Sequence, residues 1–374
     1  MTLVEIDAVG TEGEGIGRLG GKAVFVAGTI PGDLVEVEIV TSKKRFARGR
    51  LVGVEQPSPD RVPMPCRHAA DCGGCTWQMV PREIQARWKQ EAVESALGRI
   101  GRFESVLVRP VVTPGPDFGY RNRLDLHPSE TGPGFHRAGS HDLVVIAECL
   151  LAAPPVAALL DEVIGRPTAA ELTVRAGIRT GEAVIIGAGH AEPSEAVITE
   201  IVAGRRFQVS GRAFFQPNTD GAETLVGYVS EAAGSGAALA DVYAGVGLFA
   251  GTVGAGFAAV TAIETSRTAV SDLRANVPGA RVLAMPALVG LRKLAARPDV
   301  AVLDPPRTGL GPEVVAGLVA AGPRVVASVS CDVATFARDA RLLADAGYHL
   351  EWVQPVDQFP QTPHVETVAR FVRG

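Results

Sequence analysis

Residues 1 to 58 alternate apolar and polar positions in short runs, VEIDAV, KAVFVA, DLVEVEIV and RGRLVGVE, separated by glycine-rich turns such as GTEGEGIGRLGG and IPGD. A period of two in runs this short predicts half-buried strands, and the set predicts a small β-barrel. Pro57, Pro59, Pro63 and Pro65 then mark a linker. Over residues 82–100 the period becomes helical, with Ile84, Trp88, Ala92 and Leu97 near one face. Strand-like segments continue to about Arg205. From residue 206 the runs ALADVYAG, AVTAIE, DVAVLDPP and RVVASVSC alternate with helical patterns, which predicts a doubly wound α/β domain. The expected division is 1–58 for the barrel, 59–205 for a linker and a central β-rich domain, and 206–374 for the α/β domain. The helix at 82–100 is expected to pack on the last of these.

Composition narrows the picture. A chain of 374 residues, 47% hydrophobic and 21% charged, can bury the cores of two or three domains. A net charge of −5 argues against general polyanion coating, but charge can be local. TSKKRFARGR holds five basic residues between Lys43 and Arg50 around Phe46. Such a tip suits a nucleic-acid backbone with a stacked base, or is simply a solvated hairpin. Val242 to Ile263 is uncharged and long enough to span a bilayer. Its five glycines instead favour strand, turn, helix and strand in an α/β core. The N-terminus lacks the pattern of a signal peptide. The expected protein is cytosolic, needs no membrane and is a monomer.

Three of the five cysteines, Cys66, Cys72 and Cys75, cluster in CRHAADCGGC, and Cys149 follows with 73 residues between it and Cys75. Their spacing admits an iron–sulfur cluster, structural zinc or unliganded thiols. Cys331 stands apart, at the end of the apolar run RVVASVS, the edge where doubly wound sheets carry their chemistry. A buried inert thiol is the commoner role of a lone cysteine. Here, however, Asp304 in LDPPRTG is expected on a neighbouring strand tip facing the same crevice. DVYAGVGLFA follows a strand and opens a helix, with Gly245 and Gly247 at its turn; Glu264 ends the next strand, where its carboxylate can accept both ribose hydroxyls. Gly245, Gly247 and Ala250 also satisfy G-x-G-x-x-A, so a nicotinamide-dependent oxidoreductase with an iron–sulfur domain competes. A non-catalytic RNA-binding protein is a third reading.

Together these residues resemble the RNA 5-methyluridine (uracil-C5) methyltransferase family, in its iron–sulfur branch with an N-terminal TRAM domain. The resemblance runs through C-x5-C-G-G-C, FFQPN at Phe214 to Asn218, DVYAGVG, DPPRTG, Ser330–Cys331 and HVETV at His364 to Val368. It implies S-adenosyl-L-methionine as cofactor and RNA as partner, ribosomal more than transfer RNA. Cys331 would be the nucleophile toward carbon 6 of uracil and Glu366 the acceptor of the carbon 5 proton. Gln216, Tyr243, Gly245, Gly247, Glu264 and Asp304 would line the cofactor and uracil site. Cys66, Cys72, Cys75 and Cys149 would hold a [4Fe-4S] cluster. Two positions depart from the family. Its S-C-N-P reads Ser330, Cys331, Asp332, Val333, and Leu248 stands where asparagine is frequent. An acid beside the thiol is expected to disfavour the thiolate unless Arg307 compensates.

Overall fold

The computed structural model describes residues 1–187, 189–193 and 195–374. Strands β1 (Thr2–Val9), β2 (Gly15–Leu19), β3 (Lys22–Val26), β4 (Leu34–Ser42) and β5 (Phe46–Gln56) close into a barrel in the order β1-β2-β3-β5-β4. The alternation is its cause: Val4, Ile6, Val24, Val26, Val35 and Val37 turn inward and pack with Ala47. Gly49 leaves room for them, since a Cβ there would lie 2.1 Å from the Val37 side chain. Lys43, Lys44 and Arg45 are exposed at the β4–β5 tip. Phe46 does not present a free ring for stacking, because it packs edge-on against Phe25 at 5.9 Å beneath Lys43. Arg48 and Arg50 are paired with Glu14 and Glu38, so the tip's unpaired charge is smaller than the sequence count.

Helix α1 (Arg82–Arg99) packs Val93 and Leu97 into the core of the α/β domain. Its buried face is Gln85, Lys89, Val93, Ala96 and Leu97; Leu97 is in the predicted stripe, whereas the other predicted positions, Ile84, Trp88 and Ala92, each lie one residue before a buried one. Ile84 and Trp88 are half-buried and meet Ile30, Met79 and Val80 instead. Hydrophobic periodicity misplaced this face because two polar side chains occupy core positions, each with buried partners supplied from far along the chain.

Short strand β6 (Leu107–Val108) precedes the central region, which comprises β7 (Arg123–Leu126), β8 (Gly134–His136), β9 (Leu143–Val145), α2 (Pro154–Val163), β10 (Leu172–Ala176) and β11 (Ala183–Ile186). Helix α2 packs on the antiparallel sheet β11-β10-β7, and β8 with β9 forms a separate ribbon. A hairpin of β12 (Val197–Val202) and β13 (Arg205–Ser210) crosses the position where the sequence pattern changes.

The last region runs α3 (Thr219–Ala233), β14 (Ala238–Val242), α4 (Leu248–Gly251), β15 (Ala259–Glu264), α5 (Arg267–Asn276), β16 (Arg281–Ala284), α6 (Ala287–Arg292), β17 (Val300–Leu303), α7 (Gly311–Ala321), β18 (Val325–Ser330), α8 (Val333–Asp345), β19 (Tyr348–Val356) and β20 (Glu366–Arg373). Its sheet order is β16-β15-β14-β17-β18-β20-β19-β6. Strands β17 and β18, VAVL and VVASVS, are buried throughout because α3 covers one face and α7 and α8 the other. The uncharged stretch from Val242 to Ile263 is the expected strand end, turn, short helices and strand. Among the described residues, no helix is long and apolar enough to cross a membrane.

Candidate active site

Strands β14, β17 and β18 run parallel, so their C-terminal tips share one edge. Strand β20 is inserted antiparallel beside β18, and Ser330 pairs with Thr367. One further step along that ladder sets Cys331 opposite Glu366. Asp304 follows β17 directly, on the neighbouring tip. Side chains 35 residues apart therefore meet because β20 reverses the direction of the sheet.

Three acids crowd this crevice. Burial pushes the Cys331 thiol up to about 11; Glu366 and Asp304 push the same way and Arg307 opposes them. Burial, with Asp304 adding repulsion, raises Glu366 to about 8, again against Arg307. Its Oε2 atom is buried and has no hydrogen-bond partner among the described residues. Asp304, half-buried at the crevice opening, is raised to about 7 by desolvation while Gln216 Nε2 donates to its Oδ2 at 3.3 Å. Gln216 is in turn fixed by Gln358, whose Nε2 donates to Gln216 Oε1 at 3.1 Å. A thiol can add as a nucleophile and a carboxyl can accept a proton only once ionised, so both raised values hold these two groups back at neutral pH.

Beside the crevice lies a cavity of about 250 Å³ lined by Tyr243, Ile263, Glu264, Met285, Pro286 and Val314 among others. Tyr243 holds the left-handed φ of +67°, a strained backbone for a residue with a Cβ, and its N–H bonds the Ile263 carbonyl at 3.0 Å. Gly245 has φ +55° and open space where a Cβ would stand; its N–H donates to Glu264 Oε2 at 2.8 Å. Gly247 has a different task from ligand approach. At φ +95° its missing Cβ would lie 2.7 Å from Leu273 and 2.9 Å from Val277, so it lets α5 pack closely. Glu264 also accepts the N–H groups of Thr265 and Ser266 on Oε1, which leaves one lone pair on Oε2. It can thus receive one hydroxyl, where two were expected. Asp241, fully buried and pushed up to about 7 by burial, accepts the Ala250 N–H at 2.8 Å and anchors α4.

A second thiol-bearing site lies between the linker and the central region. Cys72 interacts with Cys66, and Cys75 with both Cys72 and Cys149. Burial raises Cys72 and Cys149, and pushes Cys75 up to about 12. Backbone N–H groups of Gly74, Leu151 and Ala152 and the Arg121 cation all favour thiolates here. Among the described residues, no three His, Cys, Asp or Glu side chains stand close enough to hold a single metal ion.

Residues 2–52 match the TRAM domain. Over 98% of its length the chain is 32% identical to a protein named as an uncharacterized RNA methyltransferase of Thermosynechococcus vestitus, covering 96% of that relative. A protein of the same description from Gloeobacter violaceus is 33% identical over 99% of this chain and 96% of its own. The chain belongs to the RNA methyltransferase family. The crystal structure of the Pyrococcus abyssi tRNA (uracil-54, C5)-methyltransferase with S-adenosyl-L-homocysteine aligns over 99% of this chain and all of that one, at a TM-score of 0.79 and 27% identity. The methyltransferase fold therefore spans barrel, central region and α/β domain in one arrangement.

Within this RNA methyltransferase, Asp332 is not the liability its position suggested. Its Oδ1 accepts the N–H groups of Ala334 and Thr335 at 3.1 and 2.8 Å, so it is the N-cap of α8. The carboxylate is spent on a helix terminus, and the groups that press on the Cys331 thiol are Glu366 and Asp304. Leu248 begins α4 as a buried side chain. Sequence reasoning missed Gln358, two residues past β19 and outside the HVETV motif that holds Glu366. It also missed Met285, Pro286 and Val314, which belong to no motif. Only the adjacency of β16 to β15 could have pointed to the first two.

Proposed function

We propose that this chain transfers a methyl group from S-adenosyl-L-methionine to carbon 5 of a uridine in RNA, with Cys331 as nucleophile and Glu366 as proton acceptor. The observation that carries this reading is the β18–β20 register, which faces a thiol with a buried carboxyl whose Oε2 has no partner among the described residues. Bound in the cavity, the cofactor supplies an electrophilic sulfonium methyl. The cavity fits it: an apolar wall of Ile263, Met285, Pro286 and Val314 suits adenine, and the remaining Glu264 lone pair suits a ribose hydroxyl. The Cys331 thiolate forms a bond to uracil carbon 6, and the electron pair displaced toward the carbonyl lets carbon 5 take the methyl. Glu366 then accepts the carbon 5 proton, the carbon–sulfur bond breaks and the thiolate leaves. Gln216 and Asp304 hold the flipped base.

By the resemblance of their motif, Cys66, Cys72, Cys75 and Cys149 would hold a [4Fe-4S] cluster, and the N–H donors and Arg121 around them favour the negative charge of thiolates. All five cysteines are free thiols. Lys43, Lys44 and Arg45 contribute phosphate contacts to RNA binding. The RNA is ribosomal by the family resemblance of the cysteine motif, with transfer RNA the substrate of the aligned archaeal enzyme.

Glu366→Gln, incubated with cofactor and bulk RNA, is expected to give methylated RNA joined to the protein through a bond that survives denaturation. That band should vanish in the Cys331→Ala, Glu366→Gln double variant. Methylation by Cys331→Ala at near-normal rate would refute the covalent route, and no methylation by the unaltered chain on either RNA would leave a non-catalytic RNA-binding protein.

A further inference from the structure

The link between β19 and β20, residues 357–365, is held from outside the α/β domain. Val356 pairs with Glu366, so this link leads the chain directly into the strand position of Glu366. Helix α1 turns two polar side chains one turn apart, Gln85 and Lys89, into the link, and neither is exposed to solvent. Lys89 Nζ is paired with the Asp357 carboxylate and donates to the Phe359 carbonyl at 3.1 Å. Arg82 stands 3.5 Å from the other Asp357 oxygen. Gln85 spends its amide fully: Oε1 accepts the Gln361 N–H at 2.9 Å, and Nε2 faces Gln361 Oε1 at 3.0 Å as well as the Trp77 and Val80 carbonyls. From the other side, the N–H groups of Thr76 and Trp77, next to Cys75, donate to the Gln361 carbonyl, both at 3.1 Å. Gln361 is held at φ +70°, a conformation that a residue with a Cβ keeps only when its surroundings impose it.

The same link also governs the other wall of the crevice. Gln358 fixes Gln216, and its side chain occupies space that Gly221 of α3 vacates; a Cβ there would lie 1.4 Å from Gln358 Oε1. A glycine inside a helix is disfavoured against alanine, so its presence here has a packing reason.

We propose that Gln85 and Lys89 of α1, together with Gln361 in the link, form a latch that positions Glu366 to take the carbon 5 proton. This rests on the reading of Glu366 as proton acceptor. The latch residues touch no reacting atom; they are positioning residues, and they act on the elimination step more than on methyl transfer. Loss of the latch leaves Cys331 on its strand tip but lets Glu366 move.

The test uses the full chain in single turnover with methyl-labelled cofactor and an RNA transcript. It measures transfer of label to RNA and the fraction of labelled RNA still on the protein after denaturation. Gln85→Ala is expected to transfer label within about threefold of the unaltered rate while release slows about tenfold, so that adduct accumulates. Gln361→Gly removes the side-chain half of the latch and relieves the left-handed φ, so it folds even where Gln85→Ala does not, and it should shift the same ratio. Both steps slowing equally, or neither slowing, would show that the latch is only structural. Glu366→Gln is the control. Adduct there but in neither latch variant overturns the latch alone, whereas no adduct in the control overturns the role of Glu366 and the latch with it.

Discussion

Cysteine sits in two chemical settings in this molecule, and the contrast explains what each can do. Cys331 stands on a rigid strand tip among carboxyls, Glu366 and Asp304, with Arg307 as counterweight. Cys66, Cys72, Cys75 and Cys149 stand on loops and face one another, with Arg121 and backbone N–H groups around them. All five are half-buried, so exposure does not separate them. The neighbours do. Thiolates that repel one another are relieved by binding a shared positive centre, whereas a thiolate among carboxylates is relieved only when one of the three takes up a proton. The four clustered cysteines accordingly carry the proposed ligand site, and Cys331 the proposed proton-transfer site.

The sharpest way to break this contrast is to mutate one cysteine from each setting. Cys331→Ala is expected to lose methyl transfer by about 10⁴-fold or more, with iron, acid-labile sulfide and melting temperature unchanged. Cys75→Ser, purified without oxygen, should lose iron and sulfide and melt at a lower temperature. Stoichiometric zinc in place of iron in the unaltered protein would overturn the cluster assignment.

Arg307 offers a second test. Cys331 and Glu366 must both be ionised to act, and both have pKa values raised in the crevice, to about 11 and about 8. Single-turnover rates at saturating RNA should therefore climb with pH through 8 and beyond. Arg307→Gln removes the group that lowers both values. The profile should move to higher pH, with a loss of roughly tenfold at pH 7.5 that Arg307→Lys partly recovers. An unshifted profile would mean that Arg307 does not set the ionisation of the crevice.

The smallest effect is one of stability. The folded-state pKa of Glu366 is raised above its unfolded value, so the stability it contributes is complete at low pH and is lost as pH rises through about 8. Each pKa unit is worth about 1.4 kcal/mol. Glu366→Gln cannot ionise, and it should melt several degrees above the unaltered protein at pH 9 and at the same temperature at pH 4. Equal melting at both values would place Glu366 in a more solvated setting than the crevice. The cysteine ligands predict no such gain.

Much of this was written in local pattern. Alternation of period two marked the barrel because its interior accepts only the inward residues, and the apolar runs ending in Asp304 and Cys331 marked strands covered on both faces. Strand tips were legible too, since a run of buried residues stops where the chain leaves the sheet. Local pattern put Asp304 and Cys331 on neighbouring tips, as the pairing of β17 with β18 has them, but it could not show that Glu366 joins them. The approach of Glu366 to Cys331 depends on β20 entering antiparallel beside β18, a matter of sheet order. Nor could it show that Asp332 spends its charge on a helix terminus, that Gly247 serves helix packing, or that Gln85 and Lys89 lie in a core. Each of these is decided by a partner distant in sequence: a buried polar group looks like a surface residue until the structure shows what satisfies it.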